Sequence, residues 1–119
     1  MDGMSTTTDR TASEIISDEV TSWPGVRAAW GERGELSFRV GKREVGHLHG
    51  DHALHLGLPR ELKAQLAADG RVVDHPVFPG HPKMAARRIA DQADVRDVLT
   101  ILRLSYEHVA ARYGLPDER

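Results

Sequence analysis

The first helix is predicted from the spacing of apolar residues near the start of the chain. Ile16, Val20 and Trp23 follow the i, i+4, i+7 spacing of a single helix face. Thr11 and Glu14 form a capping-box pattern, in which each side chain can satisfy a free backbone N–H at the helix start. A Pro-Gly pair directly after Trp23 ends the helix, because the residue before proline is pushed out of helical conformation.

Three strand candidates follow between Val26 and His49, where apolar residues recur with a period of two. A two-residue hairpin loop at Gly41-Lys42 would place Arg39 opposite Glu44. Continued without interruption, this register puts His47 and His49 on the same face as the apolar residues at 36, 38 and 40. It therefore predicts that both histidines point toward the interior or toward a cleft in it.

The remaining elements are shorter, apart from the last. The pattern predicts a strand over 52–56, a helix over 59–70, a brief strand over 71–73, an irregular loop over 75–82, and a long amphipathic helix that ends near Gly114. Residues 84–90 are ambiguous, since their composition favours a helix while their alternation permits a strand. Together the elements predict one α+β domain over residues 11–114, with two layers: an antiparallel sheet of four to six strands and helices packed on one face. Residues 1–10 are predicted to be a disordered tail and 115–119 a loose one.

Composition and charge narrow the function classes. The net charge of −2 gives no general attraction to nucleic acid, and no cysteine is present to form a disulfide or a thiolate zinc site. No apolar run is long enough for a membrane span, and no signal peptide is visible, so we expect a cytoplasmic protein with no membrane partner. The oligomeric state stays open, with a homo-oligomer as one option.

Residues 44–58 carry four of the seven histidines. The string His47-Leu-His49-Gly-Asp51-His52 resembles the metal-binding signature of metallo-β-lactamase-fold hydrolases, although that fold is much longer and takes further ligands from far downstream. A smaller, unrelated metal site could use His47, His49 and a third ligand such as His75 or His81. In the structural alternative, His47 and His49 are core-edge residues whose ring nitrogens bond to backbone or water. His52 and His55 are predicted to be surface or turn residues.

The order of motifs resembles the luciferase domain family, which comprises short bacterial proteins of unknown function and the fungal luciferases. The most specific part is Glu44-Val-Gly-His-Leu-His-Gly50, and further matches extend from Trp23-Pro-Gly-Val to Leu-Arg-Leu-Ser-Tyr106. The resemblance favours a strand over 84–90. The layout is also similar, more weakly, to MmcQ/YjbR-like proteins, which lack the two histidines.

The resemblance implies a chemistry as well as a fold. Fungal members oxidise a hispidin-type pyrone with molecular oxygen and are thought to need no metal or organic cofactor. His47 and His49 match the family motif and are the expected catalytic residues, while His75 matches a loop histidine. Where the family has Gly-Trp after that loop, this chain has Pro82-Lys83-Met84.

The leading hypothesis is a small-molecule site at a histidine-rich sheet face, with oxygen-dependent oxidation of an enol-like substrate and a histidine as general base. His75, Lys83 and Tyr106 are the expected ligand-binding residues. Two alternatives stand beside it: a non-enzymatic binding module with structural histidines, and the small metal site described above.

Overall fold

The computed structural model describes residues 10–116, which form one antiparallel sheet and three helices. The helices are α1 (Ala12–Val20), α2 (Arg60–Ala68) and α3 (Gln92–Tyr113). The strands are β1 (Val26–Trp30), β2 (Leu36–Val40), β3 (Arg43–His49), β4 (Ala53–Gly57), β5 (Val73–Asp74) and β6 (Met84–Arg88). The sheet has the order β1-β2-β3-β4-β6-β5. The predicted α+β class is confirmed, and the predicted tails lie largely outside the described residues.

The ends of the helices follow the local sequence signals. Thr11 is the N-cap of α1 and forms the predicted capping box with Glu14. Asp91 caps α3, its carboxylate accepting a hydrogen bond from the Asp94 N–H. Residues Met84–Arg88 form a strand, which confirms the strand that the family resemblance favours there and not the helix that their composition favours. Pairing with β4 on one side and β5 on the other overrides that weak local preference.

The core lies between one face of the sheet and the helices. Helices α1 and α3 pack against each other, and α3 packs on β2 and β3. The largest fully buried side chains come from both layers: Phe38, Ile16, Leu48, Leu54, Leu56, Ile101, Leu102, Val20, Val45 and Val98. Helix α2 adds Leu66 to the same core, so the opposite face of the sheet carries none of the three helices. Within residues 10–116, no helix has the length and apolar character needed to cross a membrane.

A β-bulge in β3 changes which side chains face the core. Next to the turn, Arg39 pairs with Glu44 as predicted, but Phe38 then pairs with Gly46 rather than with Val45. Val45 is thus an extra residue. Because side chains alternate along a strand, every residue of β3 after it faces the opposite side of the sheet from the one that an uninterrupted register gives. The prediction that His47 and His49 share a face with Phe38 was therefore wrong: they lie on the helix-free side of the sheet.

Candidate functional site

Four imidazole rings form a row on the helix-free side of the sheet. His47 and His49 come from β3, His55 lies opposite His47 on β4, and His75 follows β5. Ring centroids are 4.9 Å apart for His47 and His49, 4.3 Å for His49 and His55, and 4.3 Å for His55 and His75. We call these four residues the histidine face.

Helix α3 supports the bulge that turns the histidines outward. Val45 has no partner on β2, and its carbonyl accepts a 2.8 Å hydrogen bond from the buried Ser105 hydroxyl instead. The next residue, Gly46, lies directly under the helix, where an added Cβ would come within 2.9 Å of Leu102. The bulge is therefore held by contacts with a segment about 60 residues further along the chain.

Glu44 fixes the orientation and the tautomer of His47. Its carboxylate lies 2.8 Å from His47 Nδ1 and accepts a 3.2 Å hydrogen bond from the Ser37 hydroxyl. Burial alone would raise the pKa of Glu44, but hydrogen bonds from His47 and Ser37 outweigh it and hold that pKa below its usual value. An ionised carboxylate only accepts hydrogen bonds, so Nδ1 of His47 carries a proton, and in the neutral ring Nε2 is the nitrogen with the free lone pair.

The other three histidines favour the neutral form. Burial, followed by repulsion from neighbouring imidazoles, lowers the pKa of His49, His55 and His75, and that of His55 falls to about 4. Nε2 of His49 is buried and has no hydrogen-bond partner in the described part of the chain. Neutral imidazoles with free nitrogens can accept a proton, a hydrogen bond or a metal ion.

The loop before β6 closes one end of the histidine face. His75 is buried, and its Nδ1 accepts a 3.1 Å hydrogen bond from the Val77 N–H. The Phe78 ring lies 5.1 Å from the His75 ring and is 49% exposed. His81 organises the loop, since its Nδ1 accepts hydrogen bonds from the N–H groups of Lys83 and Met84, where the loop meets β6. An exposed aromatic ring therefore continues the row of imidazoles.

The structure brings together some of the predicted site residues and separates others. His75 lies in the same row of rings as His47 and His49, next to His55. Lys83 is exposed in the loop that leads into β6. Tyr106 lies on the helix side of the sheet, where its hydroxyl donates a 2.7 Å hydrogen bond to the Pro24 carbonyl and its ring packs 5.3 Å from Trp23. Tyr106 is therefore not on the histidine face.

The string that resembles the metallo-β-lactamase signature does not assemble into one site. Asp51 accepts a 2.8 Å hydrogen bond from the Ser13 N–H and so serves the start of α1. His52 is exposed in the turn between β3 and β4. Only the two histidines of β3 remain on the histidine face.

His55, which was predicted to be a surface or turn residue, is part of the histidine face. In the structure His55 is half-buried, between the rings of His49 and His75. A signal for it exists, because Leu54 and Leu56 alternate with His55 and place it on the face opposite the core. This alternation places His55 beside His47 only if the histidines of β3 also face away from the core, and that depends on the bulge.

Comparison with known proteins gives a family assignment. Residues 42–105 match the family model described as Luciferase domain. This segment includes β3, β4 and β6 with all four residues of the histidine face, and it ends at Ser105. No curated protein and no solved structure matches the chain. Since the matched segment is more than half of the 119 residues, the chain belongs to the luciferase domain family.

Proposed function

We propose that the histidine face binds a small, flat molecule with an acidic hydroxyl, an enol or a phenol, and that the protein oxidises this ligand with molecular oxygen. The observation that carries the proposal is the row of four imidazoles with His47 oriented by the ionised Glu44. A carboxylate that accepts a hydrogen bond from Nδ1–H orients the ring and leaves Nε2 to accept a proton. His47 is thereby suited to act as a general base.

The surroundings of the histidines favour a flat, partly apolar ligand. Phe78 extends the row beyond His75 with an exposed aromatic surface. Val73 is 64% exposed and pairs with Ala86, which in turn pairs with His55, so its side chain lies on the same side of the sheet. An aromatic or pyrone ring can stack on such a surface while its hydroxyl reaches the imidazoles.

The proposed reaction balances with oxygen as the only co-reactant. Nε2 of His47 takes the proton of the enol hydroxyl, and the resulting enolate carbon forms a bond to dioxygen. The electron pair of that bond comes from the enolate, which is oxidised, while oxygen is reduced to the peroxide level. The proton held by His47 then goes to the outer oxygen, and the product is a hydroperoxy ketone. A ring N–H of His49 would donate a hydrogen bond to the developing anion.

The non-enzymatic alternative also has an observation in its favour. His75 and His81 each accept hydrogen bonds from loop backbone N–H groups. Two of the histidines near the site thus have clear structural roles, and a binding module could use the same face without chemistry.

Binding and oxidation are tested in sequence on untagged protein in the presence of a chelator, so that no metal contributes. Pyrones, catechols and flavonoid-like enols are screened by thermal shift. A ligand at about 100 times its Kd adds about 2.7 kcal/mol, which raises Tm by roughly 10 °C for a domain of this size. We expect such a shift in the wild type and in the control His108→Ala, whose histidine is exposed on α3, but not in the His47→Ala/His49→Ala variant.

Oxygen uptake with the ligand that gives the largest shift then tests the reaction. We expect one molecule of oxygen consumed per molecule of ligand oxidised, with the double variant inactive. An equal thermal shift in the double variant, or no shift with any enol, would overturn the proposed site. Binding without oxygen consumption would overturn the oxidation and favour the binding module.

A further inference from the structure

The three histidines of β3 and β4 converge in a way that the proposed function does not require. His47 and His49 are two residues apart on one strand, and His55 lies directly opposite His47 on the next. In the described part of the chain each of the three offers one ring nitrogen, and these three nitrogens all lie within 4.8 Å of one another. In a tetrahedral site with Zn–N bonds of about 2.0–2.1 Å, ligand nitrogens are about 3.3 Å apart. Small changes in side-chain rotation would therefore bring all three onto one ion.

Two further features of these side chains favour metal binding. Glu44 accepts a hydrogen bond from the Nδ1–H of His47, which leaves Nε2 as the coordinating atom, and a carboxylate behind a histidine is the usual outer partner of a metal ligand. Nε2 of His49 is buried without a hydrogen-bond partner in residues 10–116, and burying an unpaired polar atom is costly. A metal ion bound to that nitrogen would supply the missing interaction.

The donor set selects the class of metal. Three imidazoles and no carboxylate suit zinc, copper, nickel, cobalt or iron, whereas magnesium and calcium need oxygen ligands. Three protein ligands on an exposed sheet face leave a fourth position for water or a ligand, as in catalytic rather than structural zinc sites.

We propose that His47, His49 and His55 bind one divalent transition-metal ion of the zinc class on the helix-free face of the sheet. The luciferase resemblance implies a protein without a metal, so the proposal stands on the geometry of this chain alone. It does not depend on the proposed function, and the ion would occupy the same Nε2 of His47 that acts there as the base, so the base role belongs to the metal-free protein.

The test uses untagged protein, freed of metal with a chelator that is then removed, and zinc alone. Isothermal titration is expected to give one ion per chain, and cobalt is expected to give the intense visible absorption of a four-coordinate site. His47→Ala, His49→Ala and His55→Ala should each lower zinc affinity by more than about 100-fold, and Glu44→Gln by about 10- to 100-fold, since it removes only the outer partner. His52→Ala, in the adjacent turn, and His108→Ala are the matched controls and should bind as the wild type does.

A second measurement needs no variant and so does not depend on a variant folding. Diethyl pyrocarbonate modifies free imidazoles, and peptide mass spectrometry locates the modified residues. We expect zinc to protect His47, His49 and His55 while the exposed His52 and His108 react equally with and without it. No zinc binding, unchanged affinity in the three ligand variants, or equal modification with and without zinc would each overturn the proposal. Because enol binding is measured in chelator, the two proposals can fail separately.

Discussion

Replacing Ser105 by alanine tests whether helix α3 holds the bulge that positions the histidines. The Ser105 hydroxyl is buried and donates its hydrogen bond to the carbonyl of Val45, the extra residue of β3. Ser105→Ala removes the donor and leaves a buried carbonyl without a partner.

The expected cost follows from two opposing effects. Leaving a buried acceptor unpaired costs about 1–3 kcal/mol. Alanine is a better helix former than serine in the middle of α3, which returns about 0.5 kcal/mol. We therefore expect Ser105→Ala to lower the free energy of unfolding by about 0.5–2.5 kcal/mol.

Urea unfolding followed by circular dichroism measures this change, with the slope m expected to stay unchanged. The matched control is Thr100→Ala, which removes an exposed hydroxyl that bonds the Arg96 carbonyl within the same helix. It should change stability by less than about 0.5 kcal/mol. If Ser105→Ala is as stable as the wild type or more stable, the hydrogen bond to the bulge contributes nothing and the reasoning is refuted.

Three further predictions concern packing, a buried hydroxyl and pH. Gly46→Ala should destabilise the protein by about 1–3 kcal/mol in the same urea assay, because the new methyl group would press on the Leu102 side chain from 2.9 Å. An unchanged midpoint would show that this side chain can move aside. Tyr106→Phe should cost about 0.5–1.5 kcal/mol through loss of the hydrogen bond to the Pro24 carbonyl, while leaving ligand binding at the histidine face unchanged. In metal-free protein, the pKa of His55 is lowered from 6.5 to about 4 by burial and neighbouring histidines, so only the unfolded chain takes up this proton between those pH values. The contribution of His55 to the free energy of unfolding should therefore be fully present above pH 6.5 and be lost as the pH falls toward 4, with a slope below about 1.4 kcal/mol per pH unit because the ring is partly exposed. His55→Gln should remove this contribution, and an identical pH profile in the variant would contradict the prediction.

The fold could be predicted largely from short-range signals. The capping box at Thr11, the tight turn at Gly41 and the helical stripe along α3 are each complete within a few residues, and each is present in the structure. Residues 84–88 show where such signals fail. Their alanines and arginines favour a helix locally, but strands on both sides leave only an extended segment as the way to complete the sheet.

The candidate site was only half predictable, because it depends on a register that no local pattern fixes. The sequence identified the two histidines of β3 from their density and from the family motif. It assigned them to the core face because an uninterrupted hairpin with Arg39 opposite Glu44 requires that face. His55 alternates with leucines that face the core, so it was predicted on the opposite face of the sheet from the two histidines of β3 and was not grouped with them.

The extra residue Val45 explains why His47 and His49 were assigned to the wrong face and why His55 was not grouped with them. The contacts that hold this bulge come from α3, far along the chain. Val45 and Gly46 both face α3, so β3 presents two consecutive residues to the helix where regular alternation allows one. A glycine fits because Leu102 approaches too closely for a side chain, and Ser105 satisfies the carbonyl that the bulge removes from the ladder. The glycine alone predicts a bulge or a close approach, and the contact with the helix shows that both are present. The same contacts that build the core therefore turn the histidines out of it and assemble them with His55 on the free face of the sheet.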